Sequence, residues 1–207
     1  MFDLMRDRSY DQYAALIFDM DGTLVDSGRL HELGWRATLA EYAIPVDHAL
    51  MRSLVGVPTI GTLAILIRHF GCHVSASLDE MNRFKEAFVR GHMRQHVRPT
   101  ALFDVVSRYH GIKPMAVGTG ANTAEAREIL RLCGFDGYFA HVVGADQVAE
   151  PKPAPETFLR CAALLDVPPG RCVVFEDAPL GLQAATSAGM ACVDVLQVHG
   201  IGNNYFL

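Results

Sequence analysis

Basic residues are in the minority, with 18 Lys and Arg against 23 Asp and Glu, a formal charge of −5. A chain without a cationic excess lacks the electrostatic footprint that holds nucleic acid, so net charge argues against that class of partner. Cysteine is scarce as well. Cys72, Cys133, Cys161, Cys172 and Cys192 are odd in number and nowhere spaced C-x-x-C. That pattern argues against a disulfide framework and a zinc site and leaves buried thiols as the expectation. No apolar run reaches membrane-spanning length, and Met1 to Gln12 is polar and mixed in charge, unlike a secretory leader. Internal repeats, low-complexity tracts and long blocks of like charge are missing too. What is present is 207 residues, half of them hydrophobic, enough for a real core. The composition suits a soluble, cytoplasmic metabolic enzyme with a small-molecule partner and neither nucleic acid nor membrane; a monomer or weak homodimer is the expectation.

The richest stretch is FDMDGTL, Phe18 to Leu24, at the end of the apolar run Ala14 to Phe18. The run reads as a buried strand, and residues two apart on extended backbone point the same way, so Asp19 and Asp21 are expected to face one pocket. Two acids forced together repel unless a cation lies between them or one keeps its proton. Both answers suit phosphoryl chemistry, with Asp19 as ionised nucleophile and Mg2+ ligand and Asp21 as the acid/base. Gly22 permits a sharp turn, and Thr23 is expected to hold Asp21 by a hydrogen bond. An ordinary Asp-Gly turn leaving a strand accounts for the stretch equally well.

After the first strand the spacing predicts helices over Arg29 to Tyr42, Asp47 to Leu54, Thr59 to Phe70 and Leu78 to His96, with no strand among them. About seventy residues without a strand form an inserted helical domain, 27–96. Residues 1–26 and 97–207 are then the other domain. From Pro99 helices and short apolar strands alternate. Helices are expected at Ala101 to His110, Thr123 to Cys133, Pro155 to Leu165 and Leu180 to Ala188. Strands are expected at Pro114 to Gly118, Tyr138 to Val143, Cys172 to Phe175 and Ala191 to Val195. Such alternation means a parallel sheet covered on both faces, with ligands bound outside the carboxyl ends of its strands.

The residues at those ends are informative. VGTG sets Thr119 and Gly120 before a helix, where a hydroxyl and backbone amides suit a phosphate, or Thr119 is a plain helix cap. EPKPAPETF holds Lys152 between Pro151 and Pro153, stiffened to neutralise phosphate or simply exposed in a turn. CVVFED ends in Glu176 and Asp177, hard oxygen ligands that suit Mg2+ or acids at a helix start. Four such segments at four successive strand ends, supplying nucleophile, hydroxyl, lysine and metal ligands, amount to one site.

D-x-D-G-T, Thr-Gly after a strand, K-P-x-P-E-x-F and E-D, in this order, resemble the motifs of the haloacid dehalogenase superfamily, and the likeness covers essentially the whole chain. The helical insert resembles the cap of the beta-phosphoglucomutase-like branch, which includes sugar-phosphate phosphatases such as the fructose-1-phosphatases. The resemblance implies an α/β fold, a Rossmann-like parallel-sheet core with a small all-helical cap. By motif, Asp19 is the nucleophile and Asp21 the acid/base. Thr119, Gly120 and Lys152 bind phosphate, and Asp19, the Asp21 carbonyl and Asp177 ligate Mg2+ with help from Glu176. Dehalogenases lack the second aspartate, so Asp21 points to phosphoryl transfer.

The same resemblance implies cap hinges near Val25 to Ser27 and Val97 to Pro99. It makes His31, twelve residues after Asp19, a substrate-handling histidine and Lys85 a lysine on the substrate side of the cap. Without it, His31 and Lys85 read as solvated helix residues, Trp35 as cap core or a sugar-stacking wall, and His92 and His96 as surface. The mutases hold a second phosphate with an arginine in G-V-S-R and with a serine, lysine and asparagine after the second motif. Here Gly56-Val57-Pro58-Thr59 and Ala121, Asn122 and Thr123 stand at those places. The expectation is therefore a Mg2+-dependent phosphatase of a small phosphorylated metabolite, acting through a phosphoaspartate. A beta-phosphoglucomutase and a non-catalytic phospho-metabolite-binding protein are the alternatives.

Overall fold

An apolar run with no polar alternation is stable as a strand only when both faces are covered. In the computed structural model, which describes residues 10–202 and 205–206, Ala15–Phe18 (β1) is such a strand, buried along its length. Val25–Asp26 (β2) precedes four helices, Gly28–Glu41 (α1), His48–Ser53 (α2), Thr59–Phe70 (α3) and Leu78–His96 (α4). Arg98–Pro99 (β3), Leu102–Tyr109 (α5), Met115–Gly118 (β4), Thr123–Leu132 (α6) and His141–Val143 (β5) follow. Glu156–Leu164 (α7), Cys172–Glu176 (β6), Pro179–Ser187 (α8), Ala191–Asp194 (β7) and Val195–Val198 (α9) come last. The first nine residues of the polar stretch Met1 to Gln12 lie outside the described residues.

The described residues divide into two compact units, 10–26 with 98–202 and 27–97 with 205–206. The first is a parallel sheet in the order β5-β4-β1-β6-β7, joined by helices. Its period of two is plain. Ala15, Ile17, Ala116, Cys172 and Val174 meet Phe158, Cys161 and Ala162 of α7 and Ala184 and Ala185 of α8 on one face. On the other, Phe18 stacks on Phe175 at 4.6 Å and Tyr10 meets Phe175 edge-on at 4.7 Å. Register aligns Phe18 with Val117 and with Phe175, so the chain leaves β1, β4 and β6 at one level. At the stretches expected to act as hinges, β2 and β3 pair antiparallel, Val25 with Pro99 and Asp26 with Arg98.

Strand ends fall within a residue of expectation except at β5, and two of the differences have a plain cause. Tyr138 to Ala140 are not strand, because Gly137 (φ 79°) closes a turn in which the Tyr138 amide donates to Phe135 O. Tyr138 and Phe139 then join the rings of Phe103 and Phe135. Val195 opens α9 rather than ending β7, since the Asp194 carboxylate accepts from the Leu196 and Gln197 amides and caps the turn.

The second unit is helical. Ser77 and Glu80 form a reciprocal capping box that starts α4, and Asp47 caps α2. Trp35, Leu39, Met51, Leu63, Leu66 and Met81 fill its core. Gly34 lets α1 approach α4, for a Cβ there would stand 3.2 Å from Val89 Cγ2. One correction concerns the chain end, expected in the α/β domain. Phe206 is fully buried in the helical core, its ring 5.1 Å from the Arg36 guanidinium and its carbonyl accepting from Arg52. A buried aromatic at the end of a chain leaves no trace in helical periodicity. Phe206→Ala should destabilise this unit by about 3–5 kcal/mol, seen as faster amide exchange in α1 and α2 with the sheet amides unchanged.

Candidate active site

Leaving β1, the Asp19 amide donates to Phe175 O and so prolongs the sheet by one residue before the chain turns. The Val25 amide then bonds Met20 O and the Gly22 amide bonds Val25 O, which closes the loop tightly. Gly22 has φ +85°, and a Cβ there would fall 2.3 Å from Asp177 Oδ2. Both facts demand glycine. The turn begins at Met20, so the two-residue periodicity of a strand does not extend to Asp21.

Asp19, Glu176 and Asp177 come together as three buried carboxylates whose oxygens lie within 4.8 Å of one another. Lys152 enters between them, Nζ 2.7 Å from Asp19 Oδ1 and 2.8 Å from Glu176 Oε1. Its ammonium also sits 4.6 Å from the centre of the Phe158 ring. The lysine is held from both sides. Glu156, the acid of K-P-x-P-E, accepts from the Ala149 and Glu150 amides and ties down the loop that carries it. Glu176 is anchored by the Ala178 amide at 2.6 Å, and Gly181 is glycine because a Cβ would lie 1.7 Å from Glu176 Oε1.

Burial pushes the Asp19 carboxyl well above the carboxylate range, and Lys152 only partly opposes this. Asp177 is pushed up to about 7, by burial first and then by the Glu176 charge. Burial disfavours a charged Lys152, but Asp19 and Glu176 outweigh it and the ammonium is held above the usual lysine value. Three carboxylates against one ammonium leave an excess of hard anionic oxygen, the donor set of a hard divalent cation.

Thr119, fully buried at the end of β4, accepts from the Ala121 amide at 3.1 Å, and its own amide bonds Val143 O. Gly120 is exposed beside it. Thr23 departs from expectation: its hydroxyl proton goes to Asp177 Oδ1 at 3.1 Å and not to Asp21. The tight turn aims Thr23 inward at the end of β6. The Asp21 carboxylate is half-buried and stands apart from the cluster of three, yet near enough that its charge raises Asp177.

His31 and Lys85 belong to the helical unit. His31 is half-buried on α1. Lys85 is not a solvated lysine, being buried with Nζ 4.9 Å from the Trp35 ring, and Trp35 is itself core. His92 gives its Nδ1 proton to Phe88 O and stacks on that ring. Glu32, absent from the sequence-based candidates, is a buried acid on α1 bridged to Arg36 at 2.7 Å and Arg29 at 3.3 Å. Its spacing of four from Arg36 was the available signal.

Residues 13–189 match the family model described as haloacid dehalogenase-like hydrolase. The chain is 45% identical over 188 residues to fructose-1-phosphate phosphatase YqaB of Escherichia coli (strain K12), covering 90% of this chain and 98% of that protein. It is 29% identical over 191 residues to beta-phosphoglucomutase of Bacillus subtilis (strain 168), covering 88% and 83%. Among solved structures it resembles CbbY from Rhodobacter sphaeroides in complex with phosphate, with TM-score 0.79, 26% identity and 87% and 84% coverage.

A carboxyl whose folded pKa lies above its unfolded value keeps its proton in the folded state, so folding is favoured at low pH and loses that advantage as pH rises. For Asp177 the loss runs from the ordinary carboxylate range to about 7. Melting measured in EDTA should therefore fall across this window. Asp177→Asn, which still accepts from Thr23, should flatten the fall and melt about 4 °C or more above the native protein at pH 8. Mg2+ should raise the native melting temperature and leave that of the variant unchanged.

Proposed function

Because this chain belongs to the haloacid dehalogenase-like hydrolases, we propose that it is a phosphatase of a small sugar monophosphate that works through a phosphoaspartate on Asp19. The observation that carries the reading is the buried meeting of Asp19, Lys152, Glu176 and Asp177 at the ends of β1 and β6. Asp19 attacks phosphorus as the bond to the sugar oxygen breaks, and Asp21 gives that oxygen its proton. Asp21 then takes a proton from water, whose oxygen attacks the same phosphorus. Inorganic phosphate leaves and the Asp19 carboxylate is restored.

Lys152, the Thr119 hydroxyl and the Gly120 amide hold the phosphate oxygens through these steps. Asp19, Asp177 and the Asp21 carbonyl are the proposed Mg2+ ligands, with Glu176 holding Lys152 beside them. Mg2+ bound there supplies positive charge that keeps the buried carboxylates ionised and offsets charge on the phosphate. Residues 27–96 are the proposed cap domain, with His31 and Lys85 as substrate-reading residues. The 45% identity to a fructose-1-phosphate phosphatase, over nearly the whole of that protein, supports a sugar monophosphate as substrate. A cytoplasmic setting accords with the composition.

The B. subtilis relative raises the mutase as second reading. A mutase holds a bisphosphate both ways round and needs cations at a second phosphate site. Here Pro58 precedes α3 as its N-cap, and Ala121, Asn122 and Thr123 follow Gly120. Losing two charge-assisted contacts, each worth about 1.5–3 kcal/mol, weakens a distal phosphate by orders of magnitude. Water is then the natural acceptor.

Asp19→Asn should lower turnover by at least about a thousandfold while the protein stays folded. Substantial phosphatase activity in that folded variant would remove Asp19 as nucleophile. With beta-glucose 1-phosphate and a trace of beta-glucose 1,6-bisphosphate, phosphate release should exceed glucose 6-phosphate formation. Isomerisation about a hundredfold faster than release would make the protein a mutase, a gap of about 2.7 kcal/mol in barrier.

A further inference from the structure

Strands β4 and β5 end side by side, Gly118 opposite Val143, and the loops that follow them are sewn together. The Thr119 amide donates to Val143 O and the Ala145 amide to Ala121 O, both at 2.9 Å. Asp146 completes the seam. Its Oδ1 accepts from the Thr123 amide at 2.7 Å and from the Thr123 hydroxyl at 2.8 Å. That hydroxyl in turn accepts from Gln147 Nε2 at 2.7 Å, and Gln147 also reaches Val142 O at 3.1 Å. Thr123 is the first residue of α6, and the Asn122 side chain makes no cap hydrogen bond there. The cap comes from the next loop, 23 residues on. The Asp146 carboxyl is accordingly held below its usual range by the Thr123 amide and then the Thr123 hydroxyl.

The two backbones touch at Gly144, where a Cβ would fall 2.4 Å from Thr123 N and 2.7 Å from Ala121 O. The φ of Gly144, −96°, is open to any residue, so what forbids a side chain is the neighbouring loop. Between β4 and Thr123 lie only Thr119, Gly120, Ala121 and Asn122. Thr119 is fixed at one end by Val143 and, through its hydroxyl oxygen, by the Ala121 amide at 3.1 Å. The other end of this short loop is fixed by Asp146. An exposed aspartate thus sets where the Thr119 hydroxyl and the Gly120 amide stand.

We infer that Asp146 is a positioning residue for phosphate recognition, clamping the start of α6 to the loop after β5 so that Thr119 and Gly120 are preorganised for phosphate oxygens. The inference rests on the phosphatase reading for the role of Thr119 and Gly120. Displacements of about 1 Å in such a loop cost up to about a hundredfold. Asn at 146 keeps an Oδ1 that accepts both Thr123 bonds, whereas Ala keeps none.

The test compares full-length native protein with Asp146→Ala, Asp146→Asn and Thr123→Val. Affinity for inorganic phosphate in Mg2+ is measured by calorimetry, KM and kcat on sugar monophosphates, and amide exchange at Gly120 to Thr123. Asp146→Ala should weaken inorganic phosphate and raise KM about tenfold or more, with kcat less affected and loop exchange faster. Asp146→Asn should stay within about threefold of native, and Thr123→Val, which keeps the amide bond, should fall between. Native phosphate affinity in folded Asp146→Ala, or equal impairment in the Asn variant, would overturn the inference. If Asp146→Ala fails to fold, Thr123→Val decides, with unchanged affinity counting against it. A native protein that binds phosphate yet hydrolyses no monophosphate would sink the phosphatase reading alone, because phosphate affinity still judges Asp146. A native protein that binds no phosphate would sink both.

Discussion

The Lys152 ammonium stands between two buried carboxylates, 2.7 Å from Asp19 and 2.8 Å from Glu176, and much of the α/β unit is arranged to keep it there. Carboxylates this deep are destabilising unless charge or hydrogen bonds compensate them, and one lysine compensates only part of three. Asp177 at about 7 records the remainder. The supporting contacts are mostly local, Glu156 tying the lysine loop, the Ala178 amide holding Glu176 and Gly181 leaving room for it, while Thr23 reaches Asp177 from the far end of the chain. A stored electrostatic cost of this kind is characteristic of a functional site.

The parallel sheet makes the arrangement possible with very little regular structure. Strands of three to five residues suffice because their register is exact to the residue at the level of Phe18, Val117 and Phe175. Asp19, Thr119 and the Glu176–Asp177 pair stand at the ends of β1, β4 and β6 or one residue beyond, before loop freedom can accumulate, while Lys152 comes nine residues after β5 on a loop that Glu156 ties down. The stack of Phe18 on Phe175 immediately precedes Asp19 and Glu176 in the chain and fixes the two strand ends against each other.

In the helical unit, stability draws on a residue far from it in sequence. Phe206 lies between Arg36 and Arg52, and Arg36 also holds the buried Glu32 and meets His48 at 3.1 Å. A burial that spans more than 150 residues of chain ties α1 and α2 together in a way that neither helix could achieve alone.

Helix and strand types were legible in the sequence because burial imposes periods that composition displays; α3, Thr59–Phe70, ends at the left-handed Gly71 and α4, Leu78–His96, starts at the Ser77–Glu80 capping box. The acids, the lysine and the hydroxyl were legible as well, since strand ends in a parallel sheet must converge and each such end carried a polar residue. Tertiary contact alone decided which group serves which. Thr23 sits two residues from Asp21 and yet bonds Asp177, 154 residues away. Asp146 looks like a surface acid but caps a helix that begins 23 residues earlier. Lys85 has the spacing of a solvated residue and is buried over Trp35. Local pattern reports which face of an element is buried, because that depends on the element's own period. Partner choice depends on register between strands and on where a turn points a side chain, and those are fixed only when the whole sheet and its loops have closed.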